Sequence, residues 1–179
     1  MFFFISDTHF SHTKIISYCN RPFSNVEEMN KKIIDNWNSR VKSNDTIFFL
    51  GDWGFTKSTE APDGQKFDTI RPLLKGNIIF LDGSHDKNNG CKTPIQNLVI
   101  KLGGKRIFLV HDPEYCNVNY NFNICGHVHE KWKFKRFRKG MTFTDCCNVS
   151  VEQWNYCPVT ISEILQAYSQ WLKEGKYNE

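Results

Sequence analysis

No apolar run in this 179-residue chain approaches the length of a membrane span or of a signal peptide's core, and Phe2–Ile5 at its start is typical of the short ones. No cationic segment precedes that run, so it reads as a buried first strand and the protein as cytoplasmic. The seven cysteines are an odd number, contain no CxxC pair and place Cys146 beside Cys147. That pattern speaks against a zinc knuckle or a disulfide framework and for free thiols in a reducing compartment. Neither sign of charge dominates, and a net charge of +4 does not by itself imply nucleic acid. Repeats, low-complexity stretches and linkers are also missing. Residues 1–179 therefore read as a single domain, long enough to bury a sizeable core.

What the chain does have is alternation. Phe2–Ile5, Thr46–Leu50, Ile78–Leu81, Ile107–Val110 and Phe122–Cys125 are strand-length runs rich in Phe, Ile, Val and Leu, apolar enough for strands covered on both faces. Between the first two, Val26, Met29, Ile33, Ile34, Trp37 and Val41 mark one face of a helix, with Ser24 and Glu27 as its capping box. A weaker helix spans Phe67 to Leu74, and a hairpin joins Lys131–Phe137 to Met141–Val151 by a turn at Lys139-Gly140. A last helix runs from Ile161 to Leu172, capped by Thr160 and Glu163, with Gly175 beyond its end. The order of elements is that of an α/β domain of packed layers.

The residues that follow the strands carry the chemistry. Asp7-Thr-His9 follows the first, Asp52 the second, Asp82-Gly-Ser84-His85-Asp86 the third, His111-Asp112 the fourth and Gly126-His127-Val-His129 the fifth. Five of the six histidines thus stand at strand ends, where the loops of a parallel sheet converge on one edge. In an extended segment, residues one apart point the same way, so Asp7 with His9, and His127 with His129, can reach a common centre. Imidazole with carboxylate suits Mn, Fe, Zn or Ni better than Ca or Mg. The donors outnumber what one metal takes, and a pair of divalent ions sharing Asp52 accounts for the surplus.

The order DTH, GD, GSHD, VHD and GHVH resembles the signature of the calcineurin-like metallophosphoesterases, whose third motif is Gly-Asn-His-Asp. The stretches SDTHFSHTKII, NRPF, NWNSRVKSNDTIFFLGD and NVSVEQWNYCPVTISEI are similar to the small single-domain bacterial and phage branch. The resemblance implies two mixed β-sheets sandwiched between α-helices, with the metal site at the strand ends. It implies one metal on Asp7, His9, Asp52 and His129, and another on Asp52, His111, His127 and the position of Ser84. His85 would be transition-state stabiliser or general acid, oriented by Asp86. The implied activity is hydrolysis of a phosphodiester or phosphomonoester of a small phosphorylated compound or nucleotide by a metal-bridging hydroxide, with Mn the ion expected to work in vitro.

Ser84 is the departure. Its oxygen sits about one C=O bond, ~1.2 Å, closer to the backbone than that of the family's Asn, so direct contact with the second metal requires the loop to move in. An active enzyme with a looser second site, an altered residue, and a binding-only derivative remain as readings. His12 and Arg21 are candidates to bind a substrate phosphate, or are plain structural residues. The basic segment 131–139, with Trp132, Phe134 and Phe137 interleaved, is either an amphipathic strand or a cationic flap for a nucleotide or nucleic acid. Trp53 stacks on a base or packs. A metal-dependent nuclease and a binding-only scaffold are the alternatives to the small-substrate enzyme.

Overall fold

The computed structural model describes residues 1–54, 67–89, 91 and 93–175. In chain order the strands are β1 (Phe2–Ile5), β2 (Thr46–Phe49), β3 (Asn77–Phe80), β4 (Asn97–Leu102), β5 (Lys105–Val110), β6 (Phe122–Cys125), β7 (Phe134–Lys139), β8 (Thr142–Asn148) and β9 (Val159–Thr160). The described strands form two mixed sheets, ordered β3-β2-β1-β9 and β4-β5-β6-β8-β7. β1, β2 and β3 run parallel with β9 antiparallel at the edge, and β5, β6 and β8 run parallel between antiparallel β4 and β7. The motif-bearing strands are therefore split between two sheets rather than lined up in one.

Side chains alternate across each strand, so the cores follow from a period of two. Phe3, Ile5, Ile47 and Phe49 face outward into a core built with α2 (Val26–Arg40), where Met29, Ile33 and Trp37 are completely buried. Phe4, Phe48 and Leu50 face the other way and meet Ile107, Leu109, Phe122 and Ile124 of the second sheet. Helix α5 (Ile161–Lys173) closes this inter-sheet core with Ile164, Ala167, Tyr168 and Trp171. On the far face of the second sheet, Phe108, Val110, Cys125 and Cys146 are covered by Cys116, Tyr120, Trp132 and Phe137. All seven cysteines are free thiols. No helix among the described residues is long and apolar enough to cross a membrane.

The capping box of α5 forms as the sequence predicts, with Thr160 and Glu163 reciprocally bonded. That of α2 is shifted by one residue. Asn25 is the cap, accepting from the Glu28 amide at 2.8 Å, while Glu28 accepts from the Ser24 amide at 2.8 Å. Asn outcompetes Ser here because its amide oxygen reaches the third amide of the helix from an extended backbone. The expected helix from Phe67 to Leu74 is a short α3 (Phe67–Ile70) running into a 3-10 turn, Arg71–Leu73. Four short elements have no counterpart in the sequence reading: α1 (Thr13–Tyr18), α4 (Asp86–Asn89) and the edge strands β4 and β9. β4 alternates exposed and half-buried residues and returns to β5 through Gly103-Gly104, both at positive φ, the signature of a two-residue hairpin.

Trp37 ties α2 to the first sheet twice, by burial and by its indole N–H, which donates to the Lys75 carbonyl at 2.9 Å. Trp37→Ala leaves a cavity and an orphaned carbonyl, and should cost about 3–5 kcal/mol in a urea titration followed by circular dichroism.

Candidate metal centre

The loops after β1 and β2 stay paired beyond the strands. Asp7 N–H donates to Gly51 O at 3.0 Å, His9 N–H to Asp52 O at 3.2 Å and Phe10 N–H to Trp53 O at 2.8 Å, which sets Asp52 beside His9. The path is not extended. Asp7, His9, Asp52, His127 and His129 all have left-handed backbones, with φ of 56°, 48°, 59°, 71° and 48°. The expectation that an extended segment aims both members of each pair is thus corrected: left-handed corners at alternate residues turn the side chains inward. Such conformations cost of order 1–3 kcal/mol each and persist where surroundings over-determine them.

Two glycines allow the loops to close. A Cβ at Gly83 would collide with the amide nitrogen and Oδ1 of Asp52, and one at Gly126 with Ser6 Oγ and Asp7 Oδ2. The second contact is where the two sheets meet, and there the His127 amide donates to Asp7 Oδ2 at 2.9 Å.

The result is two neighbouring ligand clusters, Asp7–His9–His129 and Asp52–His111–His127, with donor atoms in each within 4.8 Å of one another. Asp52 Oδ2 stands between them, 3.6 Å from His9 Nε2 and 3.4 Å from His111 Nε2. The Nδ1 of His127 lies 3.3 Å from His111 Nε2, and His129 Nε2 lies 3.9 Å from Asp7 Oδ1. Two ligands ~2.1 Å from one tetrahedral ion are about 3.4 Å apart, so these separations are those of shared ligands. Ser84 Oγ meets the same measure, donating to Asp52 Oδ2 at 3.2 Å and lying 3.4 Å from His111 Nε2. The serine hydroxyl thus lies beside both Asp52 and His111.

Burial and charge fit a divalent cation. Asp7 and Asp52 are 0% and 2% exposed, and Asp7 Oδ1 has no hydrogen-bond partner, an expense a protein sustains where a cation supplies the missing interaction. Burial pushes the Asp52 carboxyl up, but the hydrogen bond and charge of His111 and the charge of His9 outweigh it and hold the carboxyl well below the usual range. Burial lowers His111, and its bonds to Asp52 and the charge of Asp7 more than reverse this, carrying it up to about 9. His129 is likewise lowered by burial but raised by Cys19, Glu152 and Asp7, up to about 11. Burial keeps His9 well below its ordinary value. Protons on His111 and His129 thus balance the carboxylates in positions a metal can take.

A protein of Methanocaldococcus jannaschii, itself uncharacterized, is 39% identical over 181 residues, which span 97% of this chain and 92% of the relative. The crystal structure of a protein of unknown function from Aquifex aeolicus superposes with a TM-score of 0.69 at 27% identity, covering 93% of this chain and 98% of that one. A structure described as a novel archaeal phosphodiesterase matches 86% of each chain at 17% identity and a TM-score of 0.44, too distant to carry an argument. No family model matches. The two facing sheets carry Asp-x-His, Gly-Asp, His-Asp and Gly-His-x-His at their strand ends. This chain belongs to one family with the Methanocaldococcus protein, and its motifs keep their resemblance to those of the calcineurin-like metallophosphoesterases.

The candidate ligands are held from behind. His111 Nδ1 donates to Leu50 O at 2.7 Å, which turns Nε2 to the cluster. Glu152 Oε1 accepts from His129 Nδ1 at 2.9 Å, and Arg21 grips the same oxygen at 2.6 and 2.9 Å. Ser150 donates to Asp7 Oδ2 at 2.7 Å. Asn148 donates to the His129 carbonyl at 2.8 Å and fixes the Ser150 amide at 2.9 Å through its own oxygen. Periodicity and motif spacing do not single out Glu152, Ser150 and Asn148, although all three lie in NVSVEQW, the stretch that carries part of the resemblance.

Two expected roles change. Arg21 does not meet substrate: its side chain is 0% exposed, and besides Glu152 it donates to the carbonyls of Thr8 and Asp7 at 2.9 and 2.7 Å. Asp86 does not orient His85. Its carboxylate accepts the amides of Asp52, Trp53 and Gly83 at 2.9, 2.9 and 3.0 Å, fixing the corner that aims Asp52. Burial and the charge of Asp52 raise Asp86 to about 6 despite those three donors. The His85 amide donates to Asp52 Oδ1 at 2.9 Å, while its ring, 54% exposed, places Nε2 4.0 Å from Asp52 Oδ2. His12 lies half-buried beside His9, with ring centroids 5.4 Å apart. Trp53 packs, edge-on to Phe10, Phe49 and Phe80.

Within 131–139 the strand is β7, Phe134–Lys139, and the three aromatics of the segment are engaged within the protein. Phe134 is buried against Tyr168 and Trp171, Trp132 packs on Phe137, and Arg136 is paired with Asp145 at 2.6 Å.

Glu152→Gln keeps the shape of this support but removes its charge. It should weaken Mn²⁺ binding roughly 10- to 100-fold by calorimetry without unfolding the protein. Because His111 and His129 hold protons well above pH 7 in the metal-free protein, Mn²⁺ affinity should fall as pH falls from 8 to 6, with proton release visible as a buffer-dependent binding heat.

Proposed function

We propose that this protein is a hydrolase of phosphoric esters that works with two divalent transition-metal ions, Mn²⁺ being the ion to try first, and acts on a small phosphorylated compound or nucleotide. The observation that carries this reading is the shared carboxylate: one oxygen of Asp52 faces both His9 and His111, at 3.6 and 3.4 Å. Asp7, His9, Asp52 and His129 would hold one ion, and Asp52, Ser84, His111 and His127 the other. Bound there, the pair supplies a water acidified to near-neutral pKa and positive charge to neutralise phosphate oxygens.

The chain's own residues do the rest. Asp52 keeps Oδ2 for the centre because Oδ1 is occupied by the His85 amide. Leu50 O and Glu152 fix which nitrogen His111 and His129 present. His85, at the mouth and largely exposed, is placed to give its Nε2 proton to the departing ester oxygen, where no other described imidazole combines exposure with this proximity. His12, on the side of the first cluster, is the remaining candidate for a phosphate contact.

His85→Ala should bind Mn²⁺ as the unaltered protein does and lose about 10²–10⁴-fold in hydrolysis of bis-p-nitrophenyl phosphate. Stoichiometric loss of metal from that variant would assign His85 to ligation instead. Ser84→Asn, tested alongside, should reach the same maximal rate at equal or lower Mn²⁺, whereas activity only in the Asn form would mean that the serine switches the catalyst off.

A further inference from the structure

A cavity of about 520 Å³ opens beside the second ligand cluster, sharing Ser84 and His111 with it. Its size is that of a small-ligand site. The floor is apolar, made by Phe108 and Val110 on the outer face of β5. Asn97 pairs with Val110 across β4 and β5, and Gln96 precedes it, so two side-chain amides stand at one wall. Asp82 and Asp112 bring carboxylates, and none of the described lining residues is a lysine or arginine, His111 standing at the edge shared with the ligand cluster.

Tyr115 completes the cavity, and its placement has a cause. Asp112, next in the chain after His111, accepts the Glu114 amide at 2.9 Å through its side chain, and its carbonyl accepts the Tyr115 amide at 3.1 Å. A 3-10 turn, Pro113–Tyr115, results and brings Tyr115 to the rim with 71% of the residue exposed. A large exposed aromatic at the rim beside the ligand cluster offers a face for stacking.

These features describe the guest. Two carboxylates with no lysine or arginine among the described lining residues disfavour a second phosphate, so the cavity takes the part of the substrate that is not the scissile ester. An apolar floor with an aromatic rim favours a flat ring over a polyhydroxylated one, whose hydroxyls would lose hydrogen bonds on that floor. Carboxylates only accept hydrogen bonds, while amides both donate and accept, so the ring's edge should carry an amino group. The geometry points to a nucleobase subsite: the substrate is a nucleotide with a single phosphoester, and bases with an exocyclic amine are preferred over those with only carbonyls. This rests on the phosphoesterase reading above and names its substrate class.

The test uses three p-nitrophenyl phosphodiesters differing only in the second alcohol, namely methyl, cytidine (5′) and uridine (5′), with the full chain and Mn²⁺. Calorimetric binding of CMP, UMP and inorganic phosphate is measured beside them. The cytidine ester should exceed the methyl ester at least ~10-fold in kcat/KM and the uridine ester several-fold, and CMP should bind more tightly than UMP or phosphate. Tyr115→Ala should erase the cytidine-to-methyl ratio and weaken CMP about 10-fold, Tyr115→Phe should restore both, and Asp82→Asn should narrow the gap between cytidine and uridine. Hydrolysis of all three esters at equal rates, with CMP bound no better than phosphate, overturns the subsite and leaves the hydrolase standing. CMP binding that depends on Tyr115, with no ester hydrolysed, keeps the subsite and overturns the hydrolase.

Discussion

Asp52 is a carboxylate kept almost entirely out of water between two histidine clusters, and the surrounding architecture answers to the cost of holding it there. One oxygen is satisfied by a backbone amide from the β3 loop, and the other is left facing imidazoles on both sides. The left-handed turn that aims it is fastened by Asp86, whose three amide bonds span the ends of β2 and β3. A second carboxylate, Asp7, is treated the same way, with Oδ2 tied down by Ser150 and His127 and Oδ1 left bare. A buried charge without a partner is costly, so such an arrangement is stable only with a cation or displaceable protons in reach.

Holding both carboxylates requires two sheets to converge. Three of the motif strands lie in the first and two in the second, and the sheets are pressed together by Phe4, Phe48, Leu50, Ile107, Leu109 and Ile124. At the site that contact passes from side chains to main chain, where Gly126 lets one loop slide against Ser6 and Asp7. The strained corners are affordable because the loops around them continue the ladder and because Arg21, itself buried, clamps the carbonyls of Asp7 and Thr8. Arg21 also links the two sides of the site, since the carboxylate it pairs with, Glu152, is the one that orients His129.

His111 borders both the ligand cluster and the cavity. Its ring belongs to the second cluster, and the residue after it caps the turn that carries Tyr115 to the cavity rim. Ser84 lies on the border of both, close enough to Asp52 and His111 to act with them and lining the space beyond. A smaller side chain at that place leaves more room toward the cavity than an amide would.

The sequence alone determined the strands that bear the motifs, both long helices and the set of residues that gather at the centre, because those depend on local periodicity and on rare side chains placed at the ends of apolar runs. It could not place residues whose role is set by a partner far along the chain. Asp86 sits next to His85 in sequence, yet its bonds reach back to Asp52 and Trp53, and Arg21 has the charge of a phosphate ligand but is spent on Glu152, 131 residues away. Nor could a strand-based argument foresee left-handed corners, which are fixed by loop-to-loop hydrogen bonds rather than by residue type. The reach of Ser84 was likewise decided by tertiary structure: side-chain length is written in the sequence, but how closely a loop approaches depends on Gly83 lying flat against Asp52.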